Sequence, residues 1–479
     1  MNPLLLASAT QLARQIRSSQ ISSVEVVEAH ITHLLRVNPI MNAVVHERYQ
    51  EARAEAQQAD ERRRRGEHLP PLHGVPCTIK ECFSLTGMPH SSGLMARKHL
   101  RATRDAPAVA RLRAAGAIPL GVSNVSELCM WMESNNRVYG RSRNPYDPSR
   151  IVGGSSGGEG AAVGSGASPF GLGSDVGGSI RMPAFFNGVF GHKPSPGIVP
   201  SSGQHPVPHG RIWRYAVAGP LCRRAEDLPL LLRVLGGPDD SDPSFDPPLE
   251  LCDPDQVRIQ DLQVLDVAPL SFPGVTDDLL EAQERAAEVL ARAGARVRKA
   301  HFPELNDALR IWSSMLAIEE GPSFAEHLGE GKAIRVGVEL GRWLLGRSPY
   351  TLPALALVGL EKVTKSSPER LAHYAEKGRR LRGQLEDALG EHGVLLFPPH
   401  TRPAPRHGLP LLLPIQWVYT AIFNVLEFAV TQVPLGLNAQ GLPLGVQVAS
   451  RWGNDHLTLA VARELERSLG GWVPPPLLS

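Results

Sequence analysis

Residues 151–160 read IVGGSSGGEG, and residues 171–184 read GLGSDVGGSIRMPA. Each cluster holds serine inside glycine. Glycine weakens helices and strands, so such runs mark places where backbone approaches something closely. Phosphate is one such partner, but no Lys-Ser/Thr pair follows the last glycine of GGSSGG, and the spacing is not a dinucleotide fingerprint. Acyl transfer explains more. A tetrahedral oxyanion needs several backbone N–H groups aimed at one point, and each lost donor costs roughly 3–4 kcal/mol of transition-state stabilisation. In SDVGGSIR the N–H groups of Val176, Gly177, Gly178 and Ser179 form a candidate nest, with the Ser179 hydroxyl as nucleophile within it.

A serine nucleophile needs a base. No G-x-S-x-G elbow frames Ser179, and no His and Asp stand out as partners. The candidate is Lys80, which ends the apolar stretch GVPCTIK; burial there disfavours the charged ammonium. Ser155 then relays the proton between Lys80 and Ser179.

Around these residues the texture is α/β. DAPAVARLRAAGAIPLGVSN reads as helix, glycine turn and buried strand, and residues 277–301 repeat that order. Two helices are expected to open the chain. The basic run ERRRRGE at 61–67 closes a helix before a glycine stop, where cations suit the helix C-terminus. The 479 residues carry a net charge of +2, which gives no nucleic-acid footprint. Five cysteines, an odd number without paired metal spacing, suit free thiols in a reducing compartment. The start, MNPLLLASATQLARQ, has no basic n-region and only a short apolar run, so neither signal peptide nor N-terminal anchor is expected. Arginine outnumbers lysine 42 to 8, which fits a GC-rich bacterial genome and a cytoplasmic location.

Two stretches invite a membrane reading. Residues 408–426 carry no charge over a bilayer-spanning length, but two prolines, a Gln and an Asn favour a buried core segment. Residues 336–363 are too interrupted to span. They are expected to cap a pocket, to dock on a membrane surface, or to pack as core.

Taken together, GVPCTIKECF, SNVSELCMW, RNPYD, the 153–195 stretch, AGPLCRRAEDL and PLGLNAQGLPLGVQV resemble the amidase signature family over essentially the whole chain. KECFSLTGMPHSSGL and SIRMPAFFNGVFGHKPSPGIVP resemble its fatty acid amide hydrolase branch most. The resemblance implies a single α/β domain, a mixed central β-sheet covered by helices on both faces. Its parts are N-terminal helices over about 1–70, a signature core over about 74–230, a pocket-capping region over about 330–365 and a C-terminal strand and helix part over about 390–470.

It also implies a Ser–Ser–Lys triad of Ser179, Ser155 and Lys80, with a cis peptide bond before Ser155. The oxyanion hole maps to the N–H groups of Val176, Gly177, Gly178 and Ser179. Ser156, Asp175 and Arg181 map to supporting positions. No metal or organic cofactor is implied, and relatives are commonly homodimers.

The expected substrates are lipophilic acyl amides such as fatty acid amides and N-acylethanolamines. The alternatives are small or aromatic amides, esters or carbamates, and the glutaminase component of a tRNA-dependent amidotransferase. Met130, Trp131, Trp417 and Glu427 are candidate pocket residues. Glu427 and Ala429 stand where the family usually has Gly and Pro.

Overall fold

The structure is a computed structural model that describes residues 2–245, 249–363 and 367–478. Among these, eleven strands form one mixed sheet. In chain order they are β1 (Val44–Glu47), β2 (Pro76–Lys80), β3 (Ile118–Ser123), β4 (Phe170–Asp175), β5 (Phe190–Lys193), β6 (Val217–Cys222), β7 (Gln263–Val267), β8 (Arg296–Ala300), β9 (Gly393–Phe397), β10 (Ala429–Leu437) and β11 (Pro443–Ser450). Their spatial order is β1-β3-β2-β4-β6-β5-β10-β11-β9-β7-β8.

Why the interior strands read as continuous apolar runs is visible in the packing. In β9, Val394 and Leu396 join one apolar cluster while Leu395 and Phe397 join another. Alternate residues point to opposite faces, so both faces of the sheet are covered, as the resemblance implies. Helix Ala9–Arg17 and helix Ser23–Met41 open the chain, each started by a serine cap with a reciprocal side-chain bond from three residues on. Helix Tyr49–Arg64 ends in the arginine run, with Gly66 at φ +70° beyond it.

One register decides where the chemistry lies. β2 and β4 are parallel neighbours, with Thr78 opposite Gly171 and Ile79 opposite Leu172. Both strands therefore finish at the same sheet edge, and Lys80, the last residue of β2, arrives beside Ser174 and Asp175 at the end of β4.

The two apolar stretches separate. In residues 408–426 only the second half is core. Helix Val418–Val425 is buried throughout, whereas Leu411, Leu412 and Leu413 are exposed, Leu412 to 77%. The expectation of a wholly buried segment is corrected accordingly; two prolines, Pro410 and Pro414, frame a short turn at the surface instead of a continuous helix. Residues 336–363 form helices Val336–Leu344 and Leu352–Val363. Val358 and Ala354 pack on Leu128, and the Glu127 carboxylate accepts from the Thr351 N–H and hydroxyl at 2.8 and 2.7 Å. Val338, Leu344, Leu345 and Leu360 remain exposed. No described helix is long and apolar enough to cross a membrane.

Candidate active site

Three buried groups converge at the shared edge of β2 and β4. The Lys80 amine donates to Ser155 Oγ at 2.7 Å and to Ser174 Oγ at 2.9 Å. Lys80 is fully buried, and among the described residues no carboxylate lies within ion-pair distance of it. Both of these partners are hydroxyl oxygens. Ser155 follows a cis peptide bond from Gly154 and sits just before the buried helix Gly157–Gly164. That helix can lie against the strand ends because it is glycine-rich: a Cβ at Gly158 would run into the Asn124 backbone.

Ser179 follows β4 in the second glycine cluster. Its carbonyl accepts from the Ser156 N–H at 3.2 Å, which holds it beside the Ser155–Ser156 pair. Ser179 keeps 8% of its surface, against 1% for Ser155 and none for Lys80. Of the three, Ser179 is the most accessible. Ser156 Oγ donates to the Ser174 carbonyl at 3.3 Å and joins the two clusters from below.

The loop from Asp175 to Ser179 is tied back carbonyl by carbonyl. Asn424 Nδ2 donates to Asp175 O at 3.0 Å, Trp312 Nε1 to Val176 O at 2.9 Å and the Thr420 hydroxyl to Gly177 O at 2.7 Å. The Met182 N–H donates to Gly178 O at 2.8 Å, and Ser156 completes the series at Ser179 O. In a trans peptide the N–H points opposite to the preceding C=O. Each tie therefore fixes the direction of the N–H that follows it. Among the described residues, the N–H groups of Val176, Gly177 and Ser179 have no protein acceptor.

Gly178 is different and corrects the four-donor expectation. Its N–H donates to Asp175 Oδ1 at 2.7 Å, so that donor is already taken. The same turn needs glycine, since a Cβ there would strike the Thr420 side chain.

Asp175 and Arg181 hold this turn from inside. Arg181 donates to both Asp175 oxygens at 2.9 and 3.0 Å, and also to Thr420 O, Gln447 Oε1 and Asn424 Oδ1. Burial alone would push the Asp175 carboxyl up, but the Arg181 guanidinium outweighs it and holds the group well below the usual carboxylate range. A depressed carboxylate adds stability above its unfolded pKa and loses it as pH falls through the folded one. The pair therefore persists through neutral and mildly acidic solution. Arg181→Leu strands a buried carboxylate, and a loss of about 3–5 kcal/mol is expected. A urea midpoint at pH 7 close to that of the parent protein contradicts this.

Glu427 is corrected as a pocket residue. It is buried at φ +60° and ion-paired with Arg214 at 2.9 Å, Arg382 at 3.3 Å and Arg211 at 3.4 Å. Burial would raise its carboxyl, and Arg214 with its neighbours lowers it instead. It fastens helix Ile212–Tyr215 to helix Pro368–Leu389 and faces neither pocket nor solvent. Ala429 begins β10 and is buried. The other three candidates lie near the site. Met130 and Trp131 are half-buried on the loop whose carbonyl packs on Gly154, and Trp417 packs over Gly177.

Ser174, Asn424, Thr420, Trp312 and Gln447 were not legible as site residues. Ser174 lies inside the motif at 171–184 but carried no assigned role; the rest reach the loop across 130 or more residues of chain.

Geometry of this kind defines a class. The Amidase family profile matches residues 25–459, and the chain belongs to the amidase signature family, whose members are amide-bond hydrolases. Among individual relatives, it is 44% identical to human fatty-acid amide hydrolase 2 over 491 residues, covering 99% of this chain and 91% of that protein. It is 32% identical to a glutamyl-tRNA(Gln) amidotransferase component from Anaeromyxobacter sp. (strain K), covering 96% of each. The structure of 6-aminohexanoate cyclic dimer hydrolase complexed with substrate superposes with a TM-score of 0.81 at 28% identity, over 99% of this chain and all of that one.

Proposed function

We propose that this enzyme hydrolyses lipophilic acyl amides, such as fatty acid amides and N-acylethanolamines, through an acyl-enzyme on Ser179. The observation that carries the chemistry is the buried hydrogen bond between the Lys80 amine and Ser155 Oγ at 2.7 Å. The substrate class rests on the likeness to fatty-acid amide hydrolase 2.

The steps follow from the residues. Ser179 Oγ attacks the acyl carbon and gives its proton to Ser155, whose own proton passes to the neutral Lys80 amine. The N–H groups of Val176, Gly177 and Ser179 receive the oxyanion. On collapse the proton returns from Lys80 through Ser155 to the nitrogen, and the C–N bond breaks. An amide anion is a very poor leaving group, so this transfer is required. Water then attacks the acyl-Ser179 ester by the same relay and releases the acid. Ser156, Asp175 and Arg181 hold the loop, while Met130, Trp131 and Trp417 form the nearer walls for the substrate.

A series of acyl amides with one amine and chains of about two to eighteen carbons tests the substrate. Each buried CH₂ contributes up to ~0.8 kcal/mol, about fourfold in kcat/KM. A steep rise with length is expected. A flat profile, or a maximum at short or aromatic acyl groups, moves the substrate to small amides, esters or carbamates. The 32% identity to an amidotransferase component favours a second reading, a glutaminase. Glutamine hydrolysis that appears only with added partner proteins would replace the first with it.

The same proposal covers location and assembly: a cytoplasmic homodimer, with the exposed leucines of 336–363 as a peripheral membrane contact.

A further inference from the structure

Five donors fix the loop that carries Ser179, and one of them differs in kind. Ser156 and Met182 act through their own backbone, close in sequence. Asn424 and Thr420 belong to the wholly buried helix Val418–Val425. The Thr420 hydroxyl is shared with a second acceptor, Trp417 O, at 2.8 Å. Trp312 comes from helix Ala308–Ala317, is only half-buried, and gives its single N–H to a single acceptor, Val176 O. Its ring meets the edge of Trp417 at a centroid distance of 4.8 Å and an interplanar angle of 81°. The two indoles box in Gly177. A Cβ there would lie 3.1 Å from Trp417 Cζ3 and 3.4 Å from Trp312 Cζ2.

We propose that Trp312 is a positioning residue for the reaction: its indole N–H holds the Val176 carbonyl and thereby aims the Gly177 N–H at the oxyanion. This rests on the reading of Ser179 as the nucleophile. The Val176–Gly177 peptide is a rigid plane. Once its oxygen is held by Trp312, rotation that would carry the Gly177 N–H away from the reacting carbon breaks a hydrogen bond. Without that tie the peptide is flanked on one side by Gly177, which imposes little torsional preference of its own. The ring pair supplies the steric half of the clamp and the indole nitrogen the polar half. The effect is exerted where charge develops, so it belongs to the transition state and not to substrate binding.

The test uses the full chain with Trp312 replaced by benzothienylalanine, which keeps the bicyclic shape and lacks the N–H, and in parallel Trp312→Phe. Removing an oxyanion donor outright costs roughly 10²–10³ in kcat; loosening one is expected to cost about 10- to 100-fold. KM should stay within about twofold of the parent value. The inhibition constant of an acyl trifluoromethyl ketone, whose hemiketal oxygen occupies the oxyanion position, should weaken by the same factor as kcat/KM. The fraction of Ser179 titrated by a fluorophosphonate at completion should not change. Unaltered kinetics in the benzothienyl variant would overturn the proposal. So would a loss traced wholly to a smaller titratable fraction, or one carried in KM with the ketone unaffected. Failure of the underlying reading looks different: the parent protein itself then neither turns over amides nor reacts with the fluorophosphonate.

Discussion

Ser179→Ala is expected to lower amide turnover by on the order of a millionfold, the scale of removing a catalytic serine from a cooperating set. The substitution deletes one oxygen at a position that keeps 8% of its surface, and the backbone bonds at Val176, Gly177 and Ser179 stay in place. The fold should therefore survive, and substrate should still bind. The check is kcat by a sensitive ammonia or amine assay, with thermal unfolding as the control. Turnover within tenfold of the parent would remove Ser179 from the mechanism altogether.

Lys80→Ala is expected to have the second largest effect, about 10²–10⁴-fold on kcat, the usual worth of a positioned proton-transfer group. Two consequences follow from its contacts. In the proposed relay Ser155 loses the amine that takes its proton, so both the formation and the breakdown of the acyl-enzyme are expected to slow. An ester substrate with a good leaving group needs no proton on departure and should suffer less than the matching amide. Comparing the two substrates on the variant checks this. An equal loss for both would place Lys80 outside the leaving-group step. The variant also leaves Ser174 Oγ without the amine at 2.9 Å, so folded protein should be confirmed by near-UV circular dichroism.

Much of this was readable in the sequence because it is local. Ser155 and Ser179 sit inside glycine clusters whose composition advertises close backbone approach, and Lys80 stands out as a rare lysine at the end of an apolar strand. The α/β order also survived translation into structure, since the helix Pro107–Ala114 and β3 need only one turn to meet. Where the reading faltered, the deciding contact was distant or the backbone turned unexpectedly. Gly178 gives its N–H to the Asp175 carboxylate, a local turn contact that composition permits but does not dictate. Glu427 was singled out because it stands where the family usually differs; its cations, Arg211, Arg214 and Arg382, are more than forty residues away along the chain, so its ion pairs were not visible locally. Leu411 to Leu413 looked like core because hydropathy alone does not separate a buried helix from a short exposed turn.

The ties behind the Ser179 loop have a meaning for the life of the chain. They are contributed from positions 156, 182, 312, 420 and 424, which lie on both sides of β7 in sequence. A nascent or clipped polypeptide that already contains Lys80, Ser155 and Ser179 still lacks the anchors supplied from position 312 onward. Such a product holds the three proposed reacting groups and none of the ties to the Ser179 loop from positions 312, 420 and 424. On the proposed mechanism, a chain cut before position 312 is therefore expected to be inactive on amides even though it carries Lys80, Ser155 and Ser179.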